Sequence, residues 1–332
     1  MTGGAASHWG DPGRRSVPSD PESEDLLALA TAVAWSFANP AYGFQGRKDP
    51  VTGEQSSRTR GDLCPGVLRP WPADDGLLVR LRLVGGRLTG QQIGALLKVA
   101  RRFGDGAVHL TSRANLQVRG LGSHGLLPEP VVAAFEQTGL LPSRTHELVR
   151  NILVSPQSGY AGGRADLRPV AAELDALLLA DPRLSDLPGR FLFVLDDGRG
   201  DLWDRRCDLG LVALDQERAQ VRVGEDWGAI VPLASAASEL ARLASRFVSA
   251  RGTGPAAAWH VRELADGLAP TAEPDRALPA GVPALEYGPV PGGTHHRIPD
   301  GVLTDGSAFV AQPVLVVTPW RGIFVPDPAE QT

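Results

Sequence analysis

The sequence predicts an α+β chain in which two small halves, far apart along 332 residues, pair around a mixed α/β middle. Three observations predict it. A β-α-β-β-α order runs from Leu77 to Gln137, strands and helices follow in a different rhythm between about 146 and 265, and a short motif at Thr111 returns at Thr318.

The fold should start near Asp62, because residues 1–60 are rich in Gly, Pro, Ser and charge apart from one helix near 23–37, the composition of a mobile leader. A strand-like run, Leu77 to Leu83, leads to Gly85-Gly86, and Thr89 then stands as the N-cap of a helix. Ile93, Leu96, Leu97, Ala100 and Phe103 line one face of a 3.6-residue period, and Gly104 ends it. Strands Val108 to Thr111 and Leu116 to Arg119 follow, then a helix around Pro130 to Gln137. That order suggests a ferredoxin-like half over 61–140.

Residues 141–265 read as the α/β domain, with strands at 148–154, 190–196, 209–214 and 219–223 and helices at 168–180 and 233–250. A short helix fits around His260 to Ala265, and 266–282 is a Gly-, Pro- and Ala-rich linker. The last segment, 283–326, is a second, shortened half. Thr111-Ser112-Arg113-Ala114-Asn115-Leu116-Gln117-Val118 lies over Thr318-Pro319-Trp320-Arg321-Gly322-Ile323-Phe324-Val325, and Leu88-Thr89 over Leu303-Thr304, with the second copy short by 8 residues, about two turns of helix.

A net charge of −5 argues against a general nucleic-acid binder, which needs a surplus of phosphate-neutralising cations. Lys48 and Lys98 are the only lysines among 33 basic residues, a bias that codon usage in a GC-rich genome would produce, so each arginine is judged by context. Cys64 and Cys207 are too few and too far apart for a ligand set or a disulfide framework. No basic leader precedes an apolar run, and Leu26 to Phe37 is too short to cross a bilayer. A cytoplasmic, soluble protein without a membrane partner is expected.

Three stretches carry a family resemblance. Asp62-Leu63-Cys64-Pro65-Gly66-Val67, then Leu110 to Gly120 with its Thr111-Ser112-Arg113 turn, then Pro142 to Ile152 with Arg150-Asn151, resemble in order the motifs of the sulfite and nitrite reductases. Cys-Pro-Gly and Thr318-Pro319-Trp320-Arg321-Gly322 look most like the precorrin-3B synthase branch. The resemblance, covering roughly 58 to 326, implies ferredoxin-like halves around a sulfite/nitrite-reductase-type α/β domain, holding siroheme or a precorrin-type tetrapyrrole beside a 4Fe-4S cluster. Such rings carry many carboxylates, and a planar guanidinium binds a carboxylate through two parallel charge-assisted bonds.

By motif match, Arg113 and Arg150 correspond to ring-carboxylate contacts, with Asn151 beside Arg150. Asn115 and Arg119, at i+2 and i+6 from Arg113, would share its face if the segment is a strand. Arg190 completes the expected cofactor-binding set, although it reads equally well as a surface residue. It stands where the reductases carry the first of two lysines, and Leu192 stands at the second. Leucine donates no proton, which weighs against sulfite or nitrite reduction.

The implied function is that of a precorrin-3B synthase-like oxidoreductase of cobalamin biosynthesis that binds a polycarboxylated tetrapyrrole. The cluster cysteines are absent, so the isolated chain is expected to be incomplete and inactive, with a second chain carrying the cluster domain as partner. The alternatives are a non-catalytic tetrapyrrole-binding or partner subunit, or the remnant of a split gene, and a sulfite/nitrite reductase-like protein. No catalytic residue is assigned. An RNA-binding reading lacks an aromatic ring on the relevant strand. His146 reads as a turn residue, His295-His296 as solvated histidines holding no metal, and Asp196-Asp197 as part of a turn.

Overall fold

The computed structural model describes residue 62 and residues 64–328; the leader and its helix near 23–37 lie outside the described residues. Its first half contains β1 (Trp71–Ala73), β2 (Gly76–Leu81), a 3-10 turn (Val84–Gly86), β3 (Arg87–Leu88), α1 (Gly90–Phe103), β4 (Val108–Leu110), β5 (Leu116–Val118) and α2 (Glu129–Gln137). α1 begins where the sequence says it must. The Thr89 hydroxyl accepts from Gln92 N–H at 3.1 Å, and the Gln92 side chain accepts from Thr89 N–H at 2.9 Å, a complete capping box. Its buried stripe, Ile93, Leu96, Leu97 and Ala100, faces the first core.

The middle contains β6 (Ile152–Val154), α3 (Arg168–Ala180), β7 (Phe193–Asp196), β8 (Leu209–Ala213), β9 (Arg218–Val223), β10 (Asp226–Pro232) and α4 (Leu233–Ala250). They form a sheet in the order β10-β9-β8-β7-β6, parallel from β6 to β8 and antiparallel beyond. Every residue of β6, β7 and β8 is buried, as parallel strands covered on both faces require. Both helices match their expected spans. The first strand, by contrast, begins at Ile152 rather than 148, because residues 147–149 form a turn, and the helix expected near 260–265 is a single 3-10 turn, Val261–Glu263. β1 and β10 were not expected; β10 is half exposed and bulged between Trp227 and Ile230, so it shows no clean alternation.

The last half contains β11 (Gly288–Val290), β12 (Gly293–Arg297), a 3-10 turn (Pro299–Gly301), β13 (Val302–Leu303), β14 (Leu315–Val317) and β15 (Gly322–Pro326). Here the two halves interlock. The first sheet runs β1-β2-β5-β4-β13 and the third runs β11-β12-β15-β14-β3, so each half gives its third strand to the other's sheet. Leu88 pairs with Leu315, Leu303 pairs with Val108, and both halves share one hydrophobic core.

The repeat holds atom by atom at its turns. Thr111 N–H donates to Asn115 O and Thr318 N–H to Gly322 O, each at 2.9 Å, while Ala114 and Arg321 sit at φ 54° and 62°. Upstream, Gly85 and Gly86 at φ 58° and 73° are repeated by Asp300 and Gly301 at 54° and 70°. These three non-glycines are the described ones with positive φ, and all lie in repeated turns. The missing eight residues are the missing helix: between β13 and β14 the chain only turns, burying Phe309 and taking Gly90 N–H on Gln312 O at 2.9 Å.

Strand exchange makes the halves one cooperative unit. Leu315→Ala, at a fully buried position against Leu88, should cost about 2–4 kcal/mol and move a single unfolding transition that carries both halves. Denaturant unfolding followed by two probes, one in each half, tests this; separate midpoints would show that the halves fold independently.

Candidate functional site

The Thr111–Asn115 turn, closed through the left-handed Ala114, drives the Asn115 side chain inward. Its oxygen accepts from Leu83 N–H at 2.9 Å and its amide donates to Asn151 Oδ1 at 3.3 Å. Asn151 in turn donates to Gly189 O at 2.9 Å and Leu148 O at 3.2 Å. Between them lies Arg82, 3 % exposed. Its guanidinium donates to Asn151 Oδ1 (3.1 Å), Pro65 O (3.1 Å), Glu147 O (3.1 Å) and Gly189 O (3.3 Å). Glu147 then accepts from Val67 and Leu68 N–H at 2.6 and 3.0 Å. The three sequence motifs and the Leu187–Phe193 segment thus meet on one buried cation. Burial, with Arg80 next, pulls the Arg82 pKa down to about 10.

Around this node stands a rim of further arginines. Arg113 Nη1 donates to Arg190 O at 3.0 Å, and the Arg190 guanidinium lies 4.3 Å from the centre of the Trp259 ring. Burial lowers the pKa values of both Arg80 and Arg113; the Arg113 cation depresses Arg80 further, and the Arg190 cation depresses Arg113. Arg190 has Asp62 at 3.9 Å, and its Nε is buried without a hydrogen-bond partner. Nearby acids are already engaged: Asp62 takes Cys64 and Gly189 N–H, and Asp208 takes Leu192 and Val261 N–H and faces His260 at 3.1 Å. Arg80 and Arg113 have no ion pair among the described residues. Sequence reasoning missed Arg80 and Arg82 because an alternating strand gave no sign that its polar residues point into the protein. Their β2 spacing at i and i+2 was the available signal.

The other expected site residues scatter. Arg113, Asn115 and Arg119 do not share a strand face, because positive φ at Ala114 breaks the alternation and β5 starts only at Leu116. Arg119 instead forms an exposed two-pronged pair with Asp75 at 2.7 and 3.0 Å, apart from the rim. Arg150 is buried and grips Asp175 of α3 at 2.5 and 2.8 Å, in the wall of a cavity of about 670 Å³ that also touches Arg82.

His295 is not solvated as its Gly-rich setting suggested. It is fully buried, with Nδ1 donating toward Leu285 and Glu286 O, Nε2 accepting from the Thr318 hydroxyl at 2.9 Å, and its ring stacked on Tyr287. Burial lowers its pKa, which keeps it neutral. His296 is exposed, and no cluster of three metal-ligating residues occurs among the described residues. His146 bonds within its turn, to Thr145 at 2.9 Å, and reaches Asp181 O at 3.2 Å. Asp196 caps the N–H groups of Gly198, Gly200 and Leu202, as a turn residue does. Burial raises both thiols, Cys207 to about 11, so neither is poised as a thiolate. Among the described residues no helix is long and apolar enough to cross a membrane.

A family model described as the nitrite/sulfite reductase ferredoxin-like half domain matches residues 72–125, the span from β1 to the loop after β5. This chain carries that half domain. It is related to the nitrite and sulfite reductases and to precorrin-3B synthase. A precorrin-3B synthase of Sinorhizobium sp is 32 % identical over 170 residues, covering 50 % of this chain and 34 % of that protein. A ferredoxin-nitrite reductase of Leptolyngbya laminosa is 34 % identical over 128 residues, 36 % of this chain and 25 % of that protein. The chain therefore spans about a third or less of the length of the curated relatives it matches. The Mycobacterium tuberculosis NirA protein shares the fold, with a TM-score of 0.58 at 16 % identity over 76 % of this chain and 54 % of that one.

Two outcomes follow for the node and its neighbour. Arg82→Met removes five hydrogen bonds, four of them to acceptors at 3.1–3.3 Å, and should cost about 3–5 kcal/mol in chemical denaturation, far more than Arg119→Ala at its exposed pair. Asp201, which accepts from Ser155 Oγ at 2.7 Å, is pushed by burial from its ordinary 3.8 up to about 7. Between those values the folded chain holds one more proton than the unfolded chain, so stability falls as pH rises. Asp201→Asn should raise stability by on the order of 2 kcal/mol at about pH 8 and hardly at all at about pH 4. Equal gains at both values would reject ionisation as the cause.

Proposed function

We propose that this chain binds a polycarboxylated tetrapyrrole of siroheme or precorrin type on its arginine rim, as a precorrin-3B synthase-like member of the oxidoreductase relatives it matches. One observation carries the reading: Arg80, Arg113 and Arg190 are gathered at partly buried positions where, among the described residues, Arg80 and Arg113 have no ion pair and Arg190 has only Asp62, at 3.9 Å. Holding like charges together out of water is unfavourable unless an anion joins them. The donors fit such a ligand. Guanidiniums match ring carboxylates in geometry, the orphaned Arg190 Nε is a free donor, and Trp259 offers a flat apolar surface beside it.

When bound, a siroheme would supply the redox centre. This chain's residues would bind and orient the ring, Arg113 and Arg190 at its carboxylates and the Arg82 node fixing the backbone beneath them. Leu192, 7 % exposed in the core, supplies no proton, which favours a precorrin-modifying role over sulfite or nitrite reduction. A 4Fe-4S cluster does not fit: four thiolates are needed, and the chain has two cysteines, both held as thiols. No step is assigned through a cluster. That disagreement favours the second reading, a tetrapyrrole-binding subunit whose cluster comes from another chain.

Titration with siroheme or a uroporphyrin, followed by its Soret band, tests the proposal. Arg113→Ala and Arg190→Ala should each weaken binding about tenfold to a hundredfold, the loss of one charge-assisted contact, while Arg119→Ala should not. Binding should also weaken with salt. Equal affinities across the three variants would remove the rim as the site.

A further inference from the structure

The 670 Å³ cavity lies where β3, the 3-10 turn before it, the end of β6 and the start of α3 meet, and no guanidinium of the rim at Arg80, Arg113 or Arg190 lines it. Its size suits a small organic molecule. Strand exchange supplies its charge. Because β3 joins the sheet of the other half, Arg87 stands opposite Val316, and both line the cavity. Arg87 and Arg168 approach the Tyr160 ring, at 5.7 and 4.5 Å from its centre. Arg168 is neutralised by Asp166 at 2.7 Å and Arg150 by Asp175, but Arg87, which feels Asp166 only at longer range, has no ion pair among the described residues. The Tyr160 hydroxyl is buried beside the Arg168 guanidinium without a hydrogen bond of good geometry, while its ring is held edge-on by Phe324 at 5.8 Å. Leu83, Val84, Val154, Ala171 and Ala172 make much of the remaining wall apolar.

We propose that this cavity is a second binding site, separate from the rim, for a small monocarboxylate with an apolar body. Arg87 takes the carboxylate, the Tyr160 hydroxyl donates to its second oxygen, and the apolar wall covers the rest. The count of free donors selects this class. Arg82 also touches the cavity but spends its donors on Asn151 and backbone oxygens, which leaves the Arg87 guanidinium and one phenol to match a single carboxylate, whereas a phosphate dianion would be left half compensated in a largely apolar space. A neutral apolar molecule would leave the buried hydroxyl unpaired, which costs about 1–3 kcal/mol.

Calorimetric titration of the full chain with 2-naphthoate, 2-naphthylmethanol and inorganic phosphate tests this. Naphthoate should saturate a single site, with the alcohol and phosphate at least about tenfold weaker, the value of one charge-assisted contact. Arg87→Ala should lose that tenfold preference over the alcohol, Tyr160→Phe should weaken naphthoate severalfold, and Arg113→Ala should leave it unchanged. Melting curves confirm that each variant is folded, and Arg87→Lys, which keeps the charge, should retain the preference for naphthoate over the alcohol if Arg87→Ala does not fold. The proposal is overturned if naphthoate shows no saturable binding, if the alcohol or phosphate binds equally well, or if binding survives Arg87→Ala but is lost in Arg113→Ala.

Discussion

A guanidinium removed from water costs several kcal/mol unless its donors are met, and Arg82 is removed almost completely. Its partners come from three separate stretches of the chain, at Pro65, at Glu147 with Asn151, and at Gly189, and each of those oxygens that moves away leaves a buried donor unmet. Arg82 thereby fixes the first half against the α/β sheet. Asn115 and Asn151, joined to it, tie the Thr111–Asn115 turn into the same network, so the positions of Arg113 and Arg190 depend on it. A lysine could not replace Arg82, because one ammonium cannot span carbonyls arranged around a planar fork.

The internal repeat shows the same backbone put to two uses. Both turns close through a threonine and a residue in the left-handed region. In the first copy the next residue is Asn115, whose side chain reaches into the node. In the second it is Gly322, and any Cβ there would strike the His295 ring. Glycine makes room for a buried histidine that bonds the turn threonine, so the second copy is sealed where the first is cationic. Exchange of β3 and β13 then binds the copies together, and the lost helix of the second copy is replaced by a short loop that buries Phe309.

Positive charge in this protein is sorted by burial. Exposed arginines such as Arg119 and Arg144 find acids on the surface, where screening makes such pairs worth little. Buried Arg82 is satisfied by neutral oxygens and Arg150 by Asp175. The arginines left over are Arg80, Arg113 and Arg87, which have no ion pair among the described residues, and Arg190, whose nearest acid, Asp62, stands at 3.9 Å. The proposed anion sites rest on that remainder.

Local patterns in the sequence carry much of the fold. The capping box at Thr89, the helical stripe from Ile93 to Ala100, the spans 168–180 and 233–250 and the Thr111/Thr318 repeat are each decided by neighbours within a few residues, and each is legible without tertiary contacts. Asn115, Asn151, Arg113 and Arg190 were legible as special through their motifs, although not through any property of their own. What tertiary structure alone decided is where polar side chains end. Arg80 and Arg82 look like the outward positions of a strand until the Cys-Pro-Gly segment folds over them, and Arg119 looks like a companion of Arg113 until Ala114 breaks the alternation. His295 looks solvated until Gly322 opens a slot for it, and Arg87 meets the cavity only because its strand crosses to the other half. A sequence states which side chains can bear charge, but the cost of burying that charge is set by partners distant along the chain, and these exist only once the sheets have paired.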